Sequence, residues 1–283
     1  MNNSCVSTGS ETLCLTYSPA FVSKKGHRSP LDPLRKGNAM FLDTPPPAEK
    51  RLGLTDTFSF SCHNRLSCFN SCCRNKHLPL TPYDILRMRR ALNLYSDDFL
   101  EDYTLYRLDP NSGFPIVSVK MGDEAGICPF VAPDGCTIYD DRPTACRLFP
   151  LGRSSGIGRG GTAREEFFYL LDTPGCVGVK EKKVQSVEGW RDDQGLRPYI
   201  EMNDKMLGLL FHPNRNCAKD LDQRQQQKVM VACYNIDLFR EFVFKTGFRE
   251  QYKIGRETIK KVMENDVALL TLGFTYLDGT LFN

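Results

Sequence analysis

Several features that would place a 283-residue chain quickly are missing from this one. Charge of one sign is lacking: 37 Lys and Arg stand against 34 Asp and Glu, a formal net charge of +3, with the basic residues interspersed among acidic ones. A nucleic-acid partner is therefore not indicated. No stretch approaches the ~20 apolar residues of a membrane helix, so no membrane partner is expected either. The first twenty residues, MNNSCVSTGSETLCLTYSPA, lack the basic start and apolar core of a signal peptide. Cys14 after Leu13 has the look of a lipoprotein cysteine, but no hydrophobic segment precedes it. Metalloprotease, P-loop and haem-attachment motifs are absent, and so is a Cys-x3-Cys-x2-Cys triplet, because the cysteine after Cys72 is adjacent to it. These absences lead to the expectation of a reducing, cytoplasmic setting, in which free thiols persist and structural disulfides are rare.

What is abundant is cysteine. Eight of the twelve fall within about 115 residues: Cys62, Cys68, Cys72, Cys73, Cys128, Cys136, Cys146 and Cys176. They sit among turn residues rather than in apolar runs. Thiolates are the soft ligands that zinc and iron–sulfur clusters take, so this pattern reads as a metal site. Cys128 and Cys136 bracket the turn Pro133-Asp134-Gly135, which lets both sulfurs return to one place. Pro143 can open a short helix that carries Cys146 one turn from its start, where backbone amides would favour a thiolate. Asp172-Thr173-Pro174-Gly175 is a further turn, placing Cys176 beyond a strand.

Adjacent Cys72 and Cys73 constrain the coordination. In extended backbone their sulfurs would point to opposite faces and rarely reach one tetrahedral ion. Eight thiols divide into two four-ligand sites, or into one four-cysteine centre with four supporting thiols, and the spacing permits both. His63 and His77 lie close to the cysteines and read as hydrogen-bonding or surface residues more readily than as ligands. Four thiolates on a divalent ion leave about −2 of charge, which Arg142 and Arg147, flanking Cys146, could offset; an ordinary surface salt bridge is the competing reading. Tyr139, Asp140 and Asp141 read as residues that cap and hydrogen-bond this loop rather than as an acid–base set.

Along the chain, residues 1–55 are rich in Ser, Thr, Gly and Pro without helical or strand period, and read as a flexible arm in which Cys5 and Cys14 are incidental thiols. Residues 56–180 read as the cysteine-cluster domain and residues 181–283 as a helical region packed on it. Phe58-Ser59-Phe60 alternates like a strand delivering Cys62. Thr81-Pro82-Tyr83-Asp84 is a helix start, with Ile85, Leu86, Met88 and Leu92 on the buried face. A second helix is expected from Ser96, with Phe99, Leu100 and Tyr103 facing inward, and strands over Phe114–Met121 and Phe167–Leu171. Apolar residues at three- and four-residue steps predict helices across Met206–Phe211, Val229–Phe244 and Ile259–Leu272. Cys217 and Cys233 there read as small buried hydrophobes. The Gly156-Ile157-Gly158-Arg159-Gly160-Gly161 stretch matches a dinucleotide fingerprint by letter. It follows a turn rather than a clear buried strand, and so reads as a hairpin loop.

The order of motifs carries a family resemblance: Cys62…Cys68-Phe69-Asn70-Ser71-Cys72-Cys73, then Leu80-Thr81-Pro82-Tyr83-Asp84, Cys128-Pro129-Phe130, Gly135-Cys136-Thr137-Ile138-Tyr139, and Arg142-Pro143-Thr144-Ala145-Cys146-Arg147-Leu148-Phe149-Pro150. Over roughly residues 58–180 the sequence resembles the YkgJ-type cysteine-cluster family of zinc- or iron-chelating proteins. Flagellin lysine methylases carry a similar cysteine pattern with an iron–sulfur cluster. The resemblance thus implies iron as well as zinc, a 4Fe–4S centre among the options, and an iron–sulfur-dependent, protein-modifying enzyme as the alternative activity. The expectation is an α+β protein with an irregular, metal-stapled, cysteine-rich core of short strands surrounded by helices. Its eight clustered cysteines would hold zinc or an iron–sulfur cluster.

Overall fold

The computed structural model describes residues 48–110, 112–122, 125–157, 164–215 and 221–282. Most of the segment read as an arm, with Cys5 and Cys14, lies outside the described residues, as does Cys217. From Leu52 onward the chain is hydrogen-bonded to the rest: Leu52 exchanges both backbone bonds with Phe168, at 2.7 and 2.8 Å.

The first half is built of short pieces. Strand β1 (Thr57–Ser59) is followed by β2 (Pro79–Leu80), helix α1 (Pro82–Ala91), α2 (Ser96–Tyr103), β3 (Thr104–Leu108) and β4 (Pro115–Val119). Then come β5 (Val131–Ala132), β6 (Gly135–Cys136), α3 (Thr144–Leu148), β7 (Leu151–Ile157) and β8 (Arg164–Leu170). Among the described residues these strands pair only antiparallel: β2-β4-β3 as a three-stranded sheet, β5 with β6 and β7 with β8 as hairpins. Strand β9 (Val184–Ser186) returns to pair with β1, Thr57 opposite Ser186.

The remainder is helical: α4 (Val187–Asp193), α5 (Arg197–Leu210), α6 (Gln223–Val229), α7 (Ile236–Lys245), α8 (Phe248–Gln251), α9 (Arg256–Glu264) and α10 (Asp266–Thr280). The α+β class and the helical C-terminal part are as the sequence predicts. Helix α1 starts as read, with Thr81 and Asp84 forming a reciprocal capping box and Pro82 at the first position. Two of the long periodic windows are each cut in two by an asparagine. Asn235 and Asn265 leave helical geometry, and their side-chain oxygens accept from Leu238, and from Val267 and Ala268, respectively. Asparagine offers the backbone this local alternative to a helix, and the apolar period runs on past it unchanged. A π turn over Met230–Tyr234 joins α6 toward α7.

Two apolar clusters hold these elements. The larger draws on α1, α2, β4 and the helices from α5 onward, with Met88, Phe99, Val229, Phe239, Leu269 and Leu277 fully enclosed. Cys233 is buried there as a small hydrophobe, as expected. The smaller joins Phe58 and Phe60 to Leu148, Leu151, Phe168 and Trp190, with both phenylalanine rings edge-on to the indole at 6.1 and 5.6 Å. The glycine-rich stretch begins inside strand β7, whose last two residues are Gly156 and Ile157, contrary to the reading of a preceding turn. It connects β7 to β8 as a hairpin, its residues 158–163 outside the described ones.

Candidate metal centre

The cysteines are brought together by backbone contacts between segments that have little apolar character. Asn70 takes a left-handed conformation (φ 65°) and opens a 3-10 turn over Ser71–Cys73, while its side-chain amide donates to the Ala132 carbonyl at 2.9 Å. That bond lays the Cys68–Cys73 loop on the β5–β6 hairpin. Cys128 N–H then donates to the Cys73 carbonyl at 2.9 Å, and Asn75 N–H to the Gly126 carbonyl at 2.8 Å. Gly126 is required in this approach, since a Cβ there would meet the Asn75 side chain at 2.1 Å.

On the other side, Ser61 N–H donates to the Gly178 carbonyl at 3.1 Å, and a Cβ on Gly178 would lie 2.6 Å from the Ser61 carbonyl oxygen. This close approach sets the Cys176 turn beside Cys62. Val177 N–H donates to the Cys68 sulfur at 3.2 Å, fixing Cys68 at the same place.

Across these contacts the sulfurs sense one another. Cys62 has its thiol pKa raised by burial and then by the neighbouring Cys72, Cys68 and Cys176. Cys128, Cys136 and Cys146 are likewise raised by burial first. Cys146 also feels Cys128 and Cys136, Cys128 feels Cys136, and all three feel Cys72. Cys73 is raised by its hydrogen bond with Cys72 and by burial, and it too senses Cys146 and Cys128. Cys62 thus neighbours Cys68, Cys72 and Cys176, and Cys146 neighbours Cys73, Cys128 and Cys136, with Cys72 within electrostatic reach of both sets. All eight are free thiols, and Cys62, Cys72 and Cys146 are exposed.

Three expectations change here. The Cys72-Cys73 backbone is a 3-10 turn rather than a strand, so the two side chains hydrogen-bond each other instead of diverging. That bond is the main cause lowering the Cys72 thiol to about 6, with Lys76 adding to it. Cys146 does lie in a short helix after Pro143, but its thiol is pushed up rather than down. One side of Cys146 is open to water, while the protein mass and thiols around it outweigh the few amides of a five-residue helix. Arg142 and Arg147 are not surface salt bridges: both are buried. Arg142 stacks on the Tyr139 ring at 3.7 Å, donates to the Tyr139 carbonyl and to Gln194, and lowers the Cys136 thiol. Arg147 donates to the carbonyls of Arg142 (3.0 Å), Gln194 (2.7 Å) and Asp140.

Of the two histidines near the cysteines, His77 is a hydrogen-bonding residue and His63 makes only a long ion-pair approach. His77 pairs with Ser118 at 3.2 Å, and His63 lies 3.9 Å from Glu181. Asp141 accepts from Arg87 at 2.6 Å, and the Tyr139 ring lies under the Arg142 guanidinium. A role that the sequence reading missed belongs to Asp84. Beyond capping α1 it reaches Thr144, accepting from both its N–H and its hydroxyl at 2.7 Å. Its signal was the Thr-Pro-x-Asp motif itself, which was interpreted only locally.

The donor set fits a thiophilic metal. Phe130 N–H donates to the Cys128 sulfur and Ile138 N–H to the Cys136 sulfur, each from two residues downstream, an arrangement suited to an anionic sulfur. As placed, no three Cys, His, Asp or Glu side chains among the described residues stand close enough together to hold a metal ion. No described helix is long and apolar enough to cross a membrane.

Residues 61–176 match the family model CxxCxxCC, described as "Putative zinc- or iron-chelating domain". No curated protein and no solved structure matches the chain. The matched segment runs from the residue before Cys62 to Cys176 and includes all eight clustered cysteines, so this part of the chain is a domain of the YkgJ-type cysteine-cluster family.

Proposed function

We propose that this chain is a metal-thiolate protein whose ligands come from Cys62, Cys68, Cys72, Cys73, Cys128, Cys136, Cys146 and Cys176, and that it holds an iron–sulfur cluster. The observation that carries the metal reading is the set of amides aimed at sulfur: Phe130 to Cys128, Ile138 to Cys136 and Val177 to Cys68. Burial raises the Cys128 and Cys136 thiols, so these donors gain most when a bound metal keeps the sulfurs deprotonated.

Iron–sulfur is placed ahead of zinc by the likeness of the cysteine pattern to that of the flagellin lysine methylases, while charge supports an anionic thiolate centre of either kind. The buried Arg142 guanidinium acts on both Cys136 and Cys146 and makes its bonds to a carbonyl and an amide rather than to a carboxylate. Its charge is thereby left for an anionic centre. A bound cluster would supply cross-linking of the loops and, where exposed, electron transfer. Two surface hollows, one lined by Asp222, Gln223, Arg224 and Gln227 and one by Leu54, Glu188 and Arg191 among others, include no cysteine. A binding role is placed ahead of a cosubstrate-dependent enzyme because the sequence carries no cosubstrate motif.

Protein purified without oxygen should be brown, absorb broadly near ~400 nm, bleach in air, and contain iron and acid-labile sulfide. Colourless protein with stoichiometric zinc from cells amply supplied with iron and sulfide would replace iron–sulfur by zinc. Protein that takes up neither would overturn the metal reading.

A further inference from the structure

Helix α3 carries Cys146 but is only five residues long, and no side chain of its own N-cap, Pro143, closes its first turn. Such a helix has no independent stability. The missing cap comes from another element. Asp84, in the first turn of α1 and 1% exposed, accepts from Thr144 N–H and Thr144 Oγ at 2.7 Å each while also accepting from Thr81 N–H at 2.8 Å. Asn203 of α5 donates to the Thr144 hydroxyl at 3.2 Å, so three helices meet on one threonine. At the far end of α3, Arg147 is held by carbonyls of residues 140, 142 and 194 and lies over the Tyr199 ring at 4.5 Å. Cys146 sits between these two anchors.

The segment bearing Cys62, Cys68, Cys72 and Cys73 has no buried residue from 61 to 79. Cys146 is therefore anchored at both ends of its helix, whereas Cys73 sits in a segment without a buried residue. We infer that Asp84 is a positioning residue for the metal centre: through Thr144 it holds Cys146 where Cys73, Cys128 and Cys136 can share a ligand with it. This rests on the metal-binding reading above. It assigns to the Thr-Pro-x-Asp segment, 60 residues upstream of Thr144, a task beyond capping its own helix.

The test uses the full chain in metal-free form, with Co(II) as the probe metal and the parent, Thr144→Val, Thr144→Ser and Asp84→Asn compared. Thr144→Val removes the hydroxyl bond, whereas Thr144→Ser keeps it. Iodoacetamide alkylation of each cysteine is followed by mass spectrometry. Cys146 should alkylate roughly tenfold faster in Thr144→Val and Asp84→Asn, with Thr144→Ser at the parent rate and Cys62 unchanged. Co(II) affinity, read from thiolate charge-transfer absorption, should fall ~10–100-fold in the same two variants and not in Thr144→Ser.

Arg89→Met, on the other side of α1, controls for general loss of stability and should leave Cys146 alkylation and Co(II) affinity at parent values. Parent-like Cys146 alkylation in folded Thr144→Val, or equal acceleration in Arg89→Met, overturns the inference. Should Asp84→Asn fail to fold, Thr144→Val still decides. A parent chain that binds no Co(II) would count against the metal reading and against the assignment to a metal centre, while the alkylation contrast would still report whether Asp84 holds Cys146.

Discussion

The cysteine-bearing segments and the helical body are held together by different physics. No residue is buried between 61 and 79, between 131 and 137, or between 169 and 177. These stretches contain six of the eight clustered cysteines and are fastened by backbone hydrogen bonds, a few side-chain latches and the close approaches at Gly126 and Gly178. In the helical body Val229, Phe239, Val243, Leu269, Leu270 and Leu277 are fully enclosed, and Phe239, Phe242, Phe248, Tyr252 and Tyr276 form one ring cluster with centroids 4.7–6.4 Å apart. At ~1.5–3 kcal/mol for each fully buried side chain, the body has its own driving force. The cysteine segments do not, and cross-linking by a metal is what small apolar-poor regions use in its place.

The largest expected effect is therefore regional. In metal-free protein the amides of residues 61–79 and 128–137 should exchange with solvent rapidly while those of α5, α7 and α10 stay protected. Metal loading should slow the first set by at least ~100-fold, since metal binding free energy becomes folding free energy where no core exists. Equal slowing across both sets would mean that the two regions unfold as one unit, and the contrast between them would fail.

The converse perturbation strikes the body. Arg89 is buried between Asp237 (3.4 Å) and Asp266 (2.6 Å), and Arg240 also pairs with Asp266. Arg89→Met leaves Asp237 without its guanidinium, although Ser96 still donates to it twice at 2.8 Å. The expected loss is ~3 kcal/mol, at the low end for breaking a buried pair because Asp266 keeps Arg240. Denaturant unfolding should show that loss with metal content unaltered. Metal loss in this variant would tie the centre to the body more tightly than the structure implies.

The same division governs what could be read from sequence. The start of α1 at Thr81 and Pro82, the strand at Phe58 and the inward faces of α1 and α2 are legible because each is a local pattern with one dominant cause. The set of eight cysteines is legible as a chemical class. How their segments approach one another is not, because it depends on contacts such as Asn70 to Ala132 and Val177 to Cys68 that span 62 and 109 residues. The Cys72-Cys73 geometry was misjudged because an adjacent pair does not announce whether its backbone is extended. Arg142 and Arg147 were suspected of balancing charge near Cys146. Their burial was invisible in a stretch that is charged by composition.

A smaller effect should sharpen the boundary between the two regions. Gly178→Ala puts a methyl 2.6 Å from the Ser61 carbonyl and 2.9 Å from the Phe60 ring. Both are constrained neighbours, so overpacking should cost about 1–2 kcal/mol. Because Phe60 belongs to the smaller apolar cluster and Cys176 to the centre, the variant should lose both stability and metal occupancy. Unchanged occupancy at reduced stability would show that Cys176 does not need its place beside Cys62.

The smallest effect comes from His77, which links the end of the cysteine loop to β4 through Ser118. Burial, and then Arg107, lower its pKa, so the fold prefers the neutral ring. Its contribution is complete above the unfolded value of about 6.5, declines as pH falls through that value toward the lower folded pKa, and is lost below it. Between pH 7.5 and pH 5.5 the parent should therefore lose under ~1 kcal/mol that His77→Gln does not lose. The comparison is made on denaturant midpoints of both proteins at both pH values, so titrations shared by the two cancel. A difference seen by helical signal would mean that the 61–79 segment and the body unfold together. Confinement of the difference to amide exchange near residues 74–79 would mean that the cysteine loop opens alone while the helices remain folded, which the absence of any buried residue in that stretch leads us to expect.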